Sequence, residues 1–212
     1  ISALGNLGLV YYDQADYTKA IEAHQQSLAI ARSTQDRYAE GIALNNMGLA
    51  LFRAGRLLPA EQTLQACIQV LEALRSQFGN HDAAKISLFE QQLRTYRTLQ
   101  QVLSAQQKID AALEVSEQGR ARAFVELLST RLGKEQSPIM PSGSSTIAAP
   151  TAEQIKQIAK THNATLVQYS IIYDAFKIGK KTEWKESQLY IWVVAPNGTI
   201  NFRTTDLKPL WQ

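Results

Sequence analysis

The 212-residue sequence has a single cysteine, which excludes an internal disulfide. No apolar run reaches the length needed to cross a bilayer, so we expect no membrane-spanning segment. The formal net charge of +3 is too small to indicate a nucleic-acid-binding surface, and we predict no nucleic-acid partner. Ile1 already lies in a predicted helix, so we interpret the chain as an internal fragment, and its missing leader says little about location. The single cysteine suits a reducing compartment, and we expect the cytoplasm.

The sequence also lacks the residue patterns of a metal or catalytic centre. The three histidines are scattered and share no metal-ligand spacing with Cys67. Paired carboxylates and a glycine-rich phosphate loop are absent. Cys67 falls at a small-residue packing position, and we expect it in the core, although His24 on the equivalent helix is a candidate neighbour. We therefore predict no cofactor and no catalysis by this fragment.

The strongest positive signal is a short segment that occurs twice. Residues 3–9 read ALGNLGL and residues 43–49 read ALNNMGL, an offset of 40. A fixed period of this size predicts helical hairpins that each bury an apolar face against the next. An unrelated antiparallel bundle is the alternative. The recurring Gly8 and Gly48 predict close helix contact, since mid-helix glycine costs about 1 kcal/mol relative to alanine. We expect Ala20 and Ala60 to form the opposite wall.

This pattern resembles the tetratricopeptide repeat in a long-helix form, because its usual period is about 34 residues. The positions that match directly or loosely are Leu7, Gly8, Tyr11, Tyr17 and Ala20, then Met47, Gly48, Leu57 and Ala60. The resemblance implies three helical repeats at about 1–36, 37–80 and 81–133. In the third repeat we predict a break near residue 107, with one continuous helix as the alternative.

The composition changes after the repeats. Residues 134–150 are rich in Pro, Ser, Gly and Thr and are predicted to be a linker. In residues 151–212 Thr151 caps a short helix, and strands are predicted at Thr165–Tyr173, Leu189–Ala195 and Thr199–Thr204, with a turn at Pro196-Asn197-Gly198. Asp174–Ser187, with four lysines around Trp184, is predicted to be an exposed loop rather than an anion-binding patch. The fold class is therefore mainly α, a tetratricopeptide-type helical-hairpin array followed by a partial α/β segment with about three strands.

The junction between the two parts resembles a known domain order. Residues 111–123, AALEVSEQGRARA, look like the last helix of bacterial proteins that join tetratricopeptide repeats to a CHAT domain. Residues 165–173 and 189–198 are similar to the first strands of that caspase- and separase-like domain. Its peptidase members use a His/Cys dyad in the later part of the domain. The resemblance implies that any dyad lies beyond residue 212, and the open sheet edges predict self-association between copies.

A stacked array of this kind has a concave groove lined by the first helix of each repeat. The predicted groove residues are Asn6, Leu9, Asp13, Asn45, Asn46, Leu49, Arg53, Arg94 and Arg97, with Gln101 beside them. An asparagine amide both donates and accepts, so it can hold a peptide backbone, and the arginines suit a carboxylate. The alternative is that these side chains make inter-helix hydrogen bonds or face solvent.

From these observations we predict a peptide- or protein-binding scaffold. The rival hypothesis is the regulatory part of a cysteine peptidase, docked on its own downstream CHAT domain.

Overall fold

The fold is seen in a computed structural model that describes residues 2–77, 82–132, 149–178 and 181–210. Its first helices are α1 (Ser2–Asp13), α2 (Tyr17–Ser33), α3 (Arg37–Arg53), α4 (Leu57–Gln77), α5 (Asp82–Ala105) and α6 (Ile109–Leu132). They are followed by α7 (Ala152–Thr161), β1 (Leu166–Ile178), β2 (Lys181–Val194), β3 (Ile200–Asp206) and a 3₁₀ turn at Lys208–Leu210. The predicted fold class, a helical-hairpin array followed by three strands, is confirmed.

The turns between the first four helices share one backbone conformation. Ala15, Gln35 and Gly55 have positive φ angles of 60°, 55° and 74°, and they recur at a spacing of 20 residues. In the first two turns the next residue, Asp16 or Asp36, caps the following helix by accepting a hydrogen bond from a backbone amide. The chain therefore reverses in the same way after each helix, which places α1 to α4 side by side as stacked hairpins.

Gly8 and Gly48 lie against neighbouring helices, as predicted, but the expected wall is wrong by one helical turn. A Cβ at Gly8 would lie 2.5 Å from the imidazole of His24, and a Cβ at Gly48 would lie 2.7 Å from the side chain of Leu64. The two expected alanines are buried one turn earlier on the same helices. The large side chains at this phase, rather than the alanines, therefore require the glycines.

The third helical hairpin, α5 and α6, has the predicted break. Helix α5 ends at Ala105, Gln107 has a positive φ of 62°, and α6 begins at Ile109. Lys108 Nζ lies 2.6 Å from Glu61 Oε2, which ties this turn to α4. Residues 134–148 of the predicted linker lie outside the described residues. The predicted repeat boundary at residue 80 also lies outside them.

The three strands form one antiparallel sheet in the order β1-β2-β3. The predicted turn at residues 196–198 is confirmed by a hydrogen bond of 2.8 Å from Gly198 N to Ala195 O. The predicted exposed loop at Asp174–Ser187 is wrong, because β1 and β2 continue through it as one long hairpin. Direct pairing of Ala175 with Trp184 is part of this extension. Lys177, Lys181 and Lys185 are therefore strand residues, not loop residues.

A β-bulge divides the long hairpin. Ile172 pairs with Gln188 and Tyr173 pairs with Glu186, so Ser187 is the extra residue. Ser187 is fully buried, and its hydroxyl donates a hydrogen bond of 3.1 Å to Ile172 O. A bulge bends its strand and increases the local twist, so the outer half of the hairpin departs from the plane of the sheet.

One face of the sheet packs on the helical array. Ile172, Tyr190, Trp192 and Val194 belong to the same buried cluster as side chains of α5 and α6. The indole Nε1 of Trp192 donates to Ile109 O at 3.3 Å. Aromatic and aliphatic side chains of this size supply most of the energy of such a contact. The array and the sheet therefore share one hydrophobic core.

Helix α7 begins where the sequence predicts. Thr151 Oγ1 accepts from Gln154 N, and the Gln154 side chain accepts from Thr151 N, which makes a complete capping box. Ala152 N donates to Glu114 Oε1 at 2.8 Å, and Lys156 Nζ lies 2.6 Å from Asp110. These two contacts hold α7 against α6.

Candidate peptide-binding groove

The first helices of the three helical hairpins, α1, α3 and α5, carry the predicted groove residues, and the α1 section is open. Asn6, Leu9 and Asp13 are exposed, and Leu9 has 45% of its surface accessible. On α3, Asn46 and Leu49 are half-buried. These five side chains are therefore accessible to a ligand.

Asn45 has a different environment, because only 7% of its surface is exposed. The Thr95 hydroxyl donates to Asn45 Oδ1 at 2.9 Å, and Asn45 Nδ2 donates to Asn46 Oδ1 at 3.1 Å. Asn45 thus connects α3 to α5 in the interior. This inter-helix hydrogen bond is the alternative to ligand binding that the sequence analysis left open. Its amide is not on the open surface of the groove.

Cys67 lies next to this buried link. Its Sγ is 3.2 Å from Gly41 O and 3.6 Å from Thr95 Oγ1. Burial raises the pKa of the Cys67 thiol to about 12, so the thiol is protonated at neutral pH. A protonated and fully buried thiol is a poor nucleophile, and Cys67 acts as a packing residue as predicted.

His24 is the second buried side chain of a type that can take part in catalysis, and only 1% of its surface is exposed. Neither ring nitrogen has a hydrogen-bond partner among the described residues. Burial lowers the pKa of His24 to about 4, so the imidazole is neutral at physiological pH. The ring fills the space over Gly8 and is a packing group.

Arg53, at the end of α3, already holds a carboxylate. Its Nη2 lies 2.7 Å from Asp174 Oδ1, and its Nε donates to Tyr12 Oη at 3.1 Å. Although burial works in the opposite direction, Tyr12 and Asp174 raise the pKa of Arg53 above its ordinary value. Asp174 belongs to β1, so the carboxylate that this arginine binds comes from the chain itself.

The two arginines of α5 contact the same hairpin. The Arg94 guanidinium lies 5.6 Å from the ring centroid of Trp184, and that of Arg97 lies 5.1 Å from the ring centroid of Tyr173. Cation–π contacts at exposed positions contribute about 0.5–1 kcal/mol each. Trp184 remains 57% exposed, so these contacts lie at the rim of the groove.

The two faces of the hairpin therefore contact different helices of the groove, one face through Arg53 of α3 and the other through Arg94 and Arg97 of α5. Successive residues of a strand point to opposite sides, so Asp174 points away from the face that carries Tyr173. Trp184 pairs with Ala175, two residues after Tyr173, and shares the face of Tyr173. The outer hairpin of β1 and β2 thus occupies the space between the end of α3 and the exposed side of α5.

Sequence reasoning missed the hairpin residues that fill this part of the groove. Asp174, Tyr173 and Trp184 fell in or beside the predicted loop. The available signal was Phe176 and Ile178, which continue the alternation of Ile172 in steps of two. That signal extends the strand but does not identify what it contacts.

Some features are absent from the part of the chain that the structure describes. No three histidine, cysteine, aspartate or glutamate side chains there come together as a set of metal ligands. The helices of those same residues are too short or too polar for a bilayer span.

Comparisons with known proteins give one consistent similarity. The tetratricopeptide repeat family matches residues 1–73, which contain α1 to α3 and most of α4. Tetratricopeptide repeat protein 28 of Mus musculus and that of Homo sapiens are each 29% identical to the chain over 156 residues, or 74% of its length. That stretch is 6% of either relative, so the chain spans a small part of their length. No solved structure matches the chain. The stacked helical hairpins of this protein are thus similar in sequence to tetratricopeptide repeats, and this similarity supports a helical scaffold for protein interactions.

Proposed function

We propose that the chain is a non-catalytic protein-binding scaffold whose groove holds a β-hairpin at one end and binds a peptide at the other. The observation that carries the proposal is that Arg53, Arg94 and Arg97, on two groove helices, all contact polypeptide side chains of one hairpin. The groove surface is thus chemically suited to carboxylates and aromatic rings.

The open end of the groove is the proposed ligand site. Asn6, Leu9 and Asp13 on α1 are exposed, and Asn46 and Leu49 on α3 are partly so. Asn6 and Asn46 recur at the repeat offset, and each amide can pair with a peptide N–H and C=O. An extended peptide bound here would be held through its main chain, with Leu9 and Leu49 contacting its apolar side chains.

The proposal is tested by selecting binders from a phage-displayed random peptide library and titrating them calorimetrically. The double variant Asn6→Ala and Asn46→Ala should weaken binding about tenfold or more, since each lost hydrogen bond is worth about 1 kcal/mol. The matched control is Gln25→Ala with Gln26→Ala, which removes two exposed amides from α2. Equal affinity in the two double variants would remove the groove from the proposal.

The second candidate function is the regulatory part of a bacterial, cytoplasmic cysteine peptidase with a CHAT domain. The observation that favours it is the shared core, in which Trp192 and its neighbours fix the three-stranded sheet on the helical array. A repeat array attached in this way can transmit ligand binding to whatever sheet continues from these strands. The sequence that follows residue 212 tests it: a His and a Cys in matching motifs are expected, and their absence would leave the scaffold alone.

Self-association through the open sheet edges is part of this proposal. β1 and β3 each have one edge without a strand neighbour among the described residues. Such an edge can pair with a second copy. Light scattering at increasing concentration should show a dimer, and a monomer at the highest concentration would exclude it.

A further inference from the structure

The two recurrent asparagines of the groove have different neighbours. Asn46 follows Asn45, whereas Asn6, at the repeat offset, follows Gly5, which has no side chain. Asn45 Nδ2 donates a hydrogen bond of 3.1 Å to Asn46 Oδ1. The amide of Asn46 is therefore held on one side by a neighbour that Asn6 does not have.

That neighbour is itself oriented from the interior, where Asn45 is only 7% exposed. The Thr95 hydroxyl has one proton and two acceptors at 2.9 Å, Asn45 Oδ1 and Gln91 O. Gln91 O lies four residues before Thr95 in α5, so it also accepts the backbone hydrogen bond of the helix. Asn45 Oδ1 has no other donor among the described residues, and buried acceptors in native proteins nearly always have one. The hydroxyl proton therefore belongs to Asn45, and it turns the oxygen of that amide toward α5.

The orientation of Asn45 determines which end of Asn46 is free. With its oxygen toward Thr95, Asn45 faces Asn46 with Nδ2, which can only donate. Asn46 must accept with Oδ1, which leaves its own Nδ2 as the outer end of the amide. Among the described residues Asn46 Nδ2 has no hydrogen-bond partner, and it is not one of the unpartnered atoms that are closed off from solvent. The free group at this position of the groove is thus a hydrogen-bond donor.

We propose that Thr95 and Asn45 are positioning residues that present Asn46 Nδ2 to the groove, so that this position takes a main-chain carbonyl oxygen of the bound peptide and not an N–H group. Asn6, which has no such neighbour, can turn its amide to pair with either group. The inference rests on the peptide-binding groove proposed above, and it specifies which hydrogen-bonding group of the ligand one position of that groove takes.

The first test measures hydrogen exchange of the side-chain amides by NMR in the free protein. The Nδ2 protons of Asn46 should exchange with water about tenfold or more faster than those of Asn45, which is buried and donates to Asn46. In the reversed arrangement Asn46 would donate to Asn45, and one of its Nδ2 protons would be protected. Protection of Asn46 equal to that of Asn45 would overturn the inference.

The second test identifies the ligand group that Asn46 contacts. A peptide selected from the library described above is resynthesised with a single thioamide, which makes one main-chain carbonyl a weak acceptor, or with a single N-methyl group, which removes one N–H. At one peptide bond the thioamide should weaken binding to wild type about threefold or more, and it should have no such effect on Asn46→Ala. Coupling of Asn46→Ala to N-methylation instead of to a thioamide would contradict the inference.

Variants of the buried link test the positioning role. Thr95→Val, which removes the hydroxyl, and Asn45→Ala, which removes its acceptor, should both abolish the thioamide coupling, whereas Thr95→Ser should retain it. The matched control is Thr98→Val, because Thr98 is also buried on α5 but donates only to Arg94 O of its own helix, at 3.0 Å. This control should retain the coupling. Loss of the coupling in Thr98→Val as in Thr95→Val would attribute the effect to α5 itself and overturn the positioning role.

Failure of this inference can be told apart from failure of the proposed function. Equal affinity of wild type and the double variant Asn6→Ala with Asn46→Ala for library peptides would refute the groove, while the exchange rates of the free protein would still determine the orientation of Asn46. Groove binding that depends on Asn46 but shows no thioamide coupling at any peptide bond would overturn this inference alone.

Discussion

Replacement of His24 by leucine should stabilise the protein and remove part of its pH dependence. His24 packs against Gly8 at the position where repeat two has Leu64 against Gly48. The substitution therefore copies a contact that the same fold already accommodates. It also removes two ring nitrogens that are buried without hydrogen-bond partners among the described residues.

The magnitude follows from the pKa of His24, which burial lowers from 6.5 to about 4. The unfolded chain binds this proton below about pH 6.5, while the folded chain stays neutral down to about pH 4, so stability falls as the pH falls through that window. The loss from this group is about 2 kcal/mol between about pH 7 and about pH 5, since one pKa unit corresponds to about 1.4 kcal/mol. At neutral pH, removing the unpartnered nitrogens should add about 1–3 kcal/mol.

The assay is urea unfolding of wild type and His24→Leu at both pH values. We expect the stability advantage of the variant to grow by about 2 kcal/mol on acidification. His162→Gln, at an exposed histidine, is the control for loss of an imidazole. A constant difference between wild type and His24→Leu across this range would refute the buried, neutral state of the His24 ring.

Three other predictions follow from the packing. Gly48→Ala should cost about 1–3 kcal/mol in thermal unfolding, since a Cβ there would meet Leu64 at 2.7 Å, whereas Gly5→Ala, with no atom within 4 Å, should add about 1 kcal/mol. Equal effects at the two glycines would contradict the close contact. Cys67 should react with a chromogenic disulfide reagent only after unfolding, and rapid reaction of the native protein would contradict its burial. Trp192→Ala should cost about 3–5 kcal/mol and expose the array-facing side of the sheet, which dye binding would report.

The helical array was predictable because its signals are local. The offset of 40 between repeats, Gly8 with Gly48, and the aspartates that precede α2 and α3 are all features of short segments. Each restricts the backbone within a turn or two, and adjacent hairpins then stack by default. The partner of each glycine was harder to assign, because one helical turn separates Ala20 from His24 and both are buried.

The contents of the groove were not predictable from local patterns. Arg53 and Asp174 are 121 positions apart, and no local sequence pattern around either residue indicates that they form an ion pair. The hairpin that carries Asp174 has four lysines and two glutamates within residues 174–187, and this charged composition is typical of an exposed loop although Phe176 and Ile178 continue the strand alternation. Asn45 was similarly misleading, since an exposed amide and a buried, hydrogen-bonded amide have the same sequence signature.

The placement of the hairpin in the groove is tested most directly by side-chain NMR of Arg94 and Arg97. With their guanidinium groups 5.6 and 5.1 Å from the ring centroids of Trp184 and Tyr173, the arginine δ-methylene protons should show upfield ring-current shifts and NOEs to these rings. Trp184→Leu should return the Arg94 shifts to ordinary values and leave those of Arg97 displaced. Ordinary shifts and no NOEs for both arginines in the wild-type protein would contradict a groove occupied by its own hairpin.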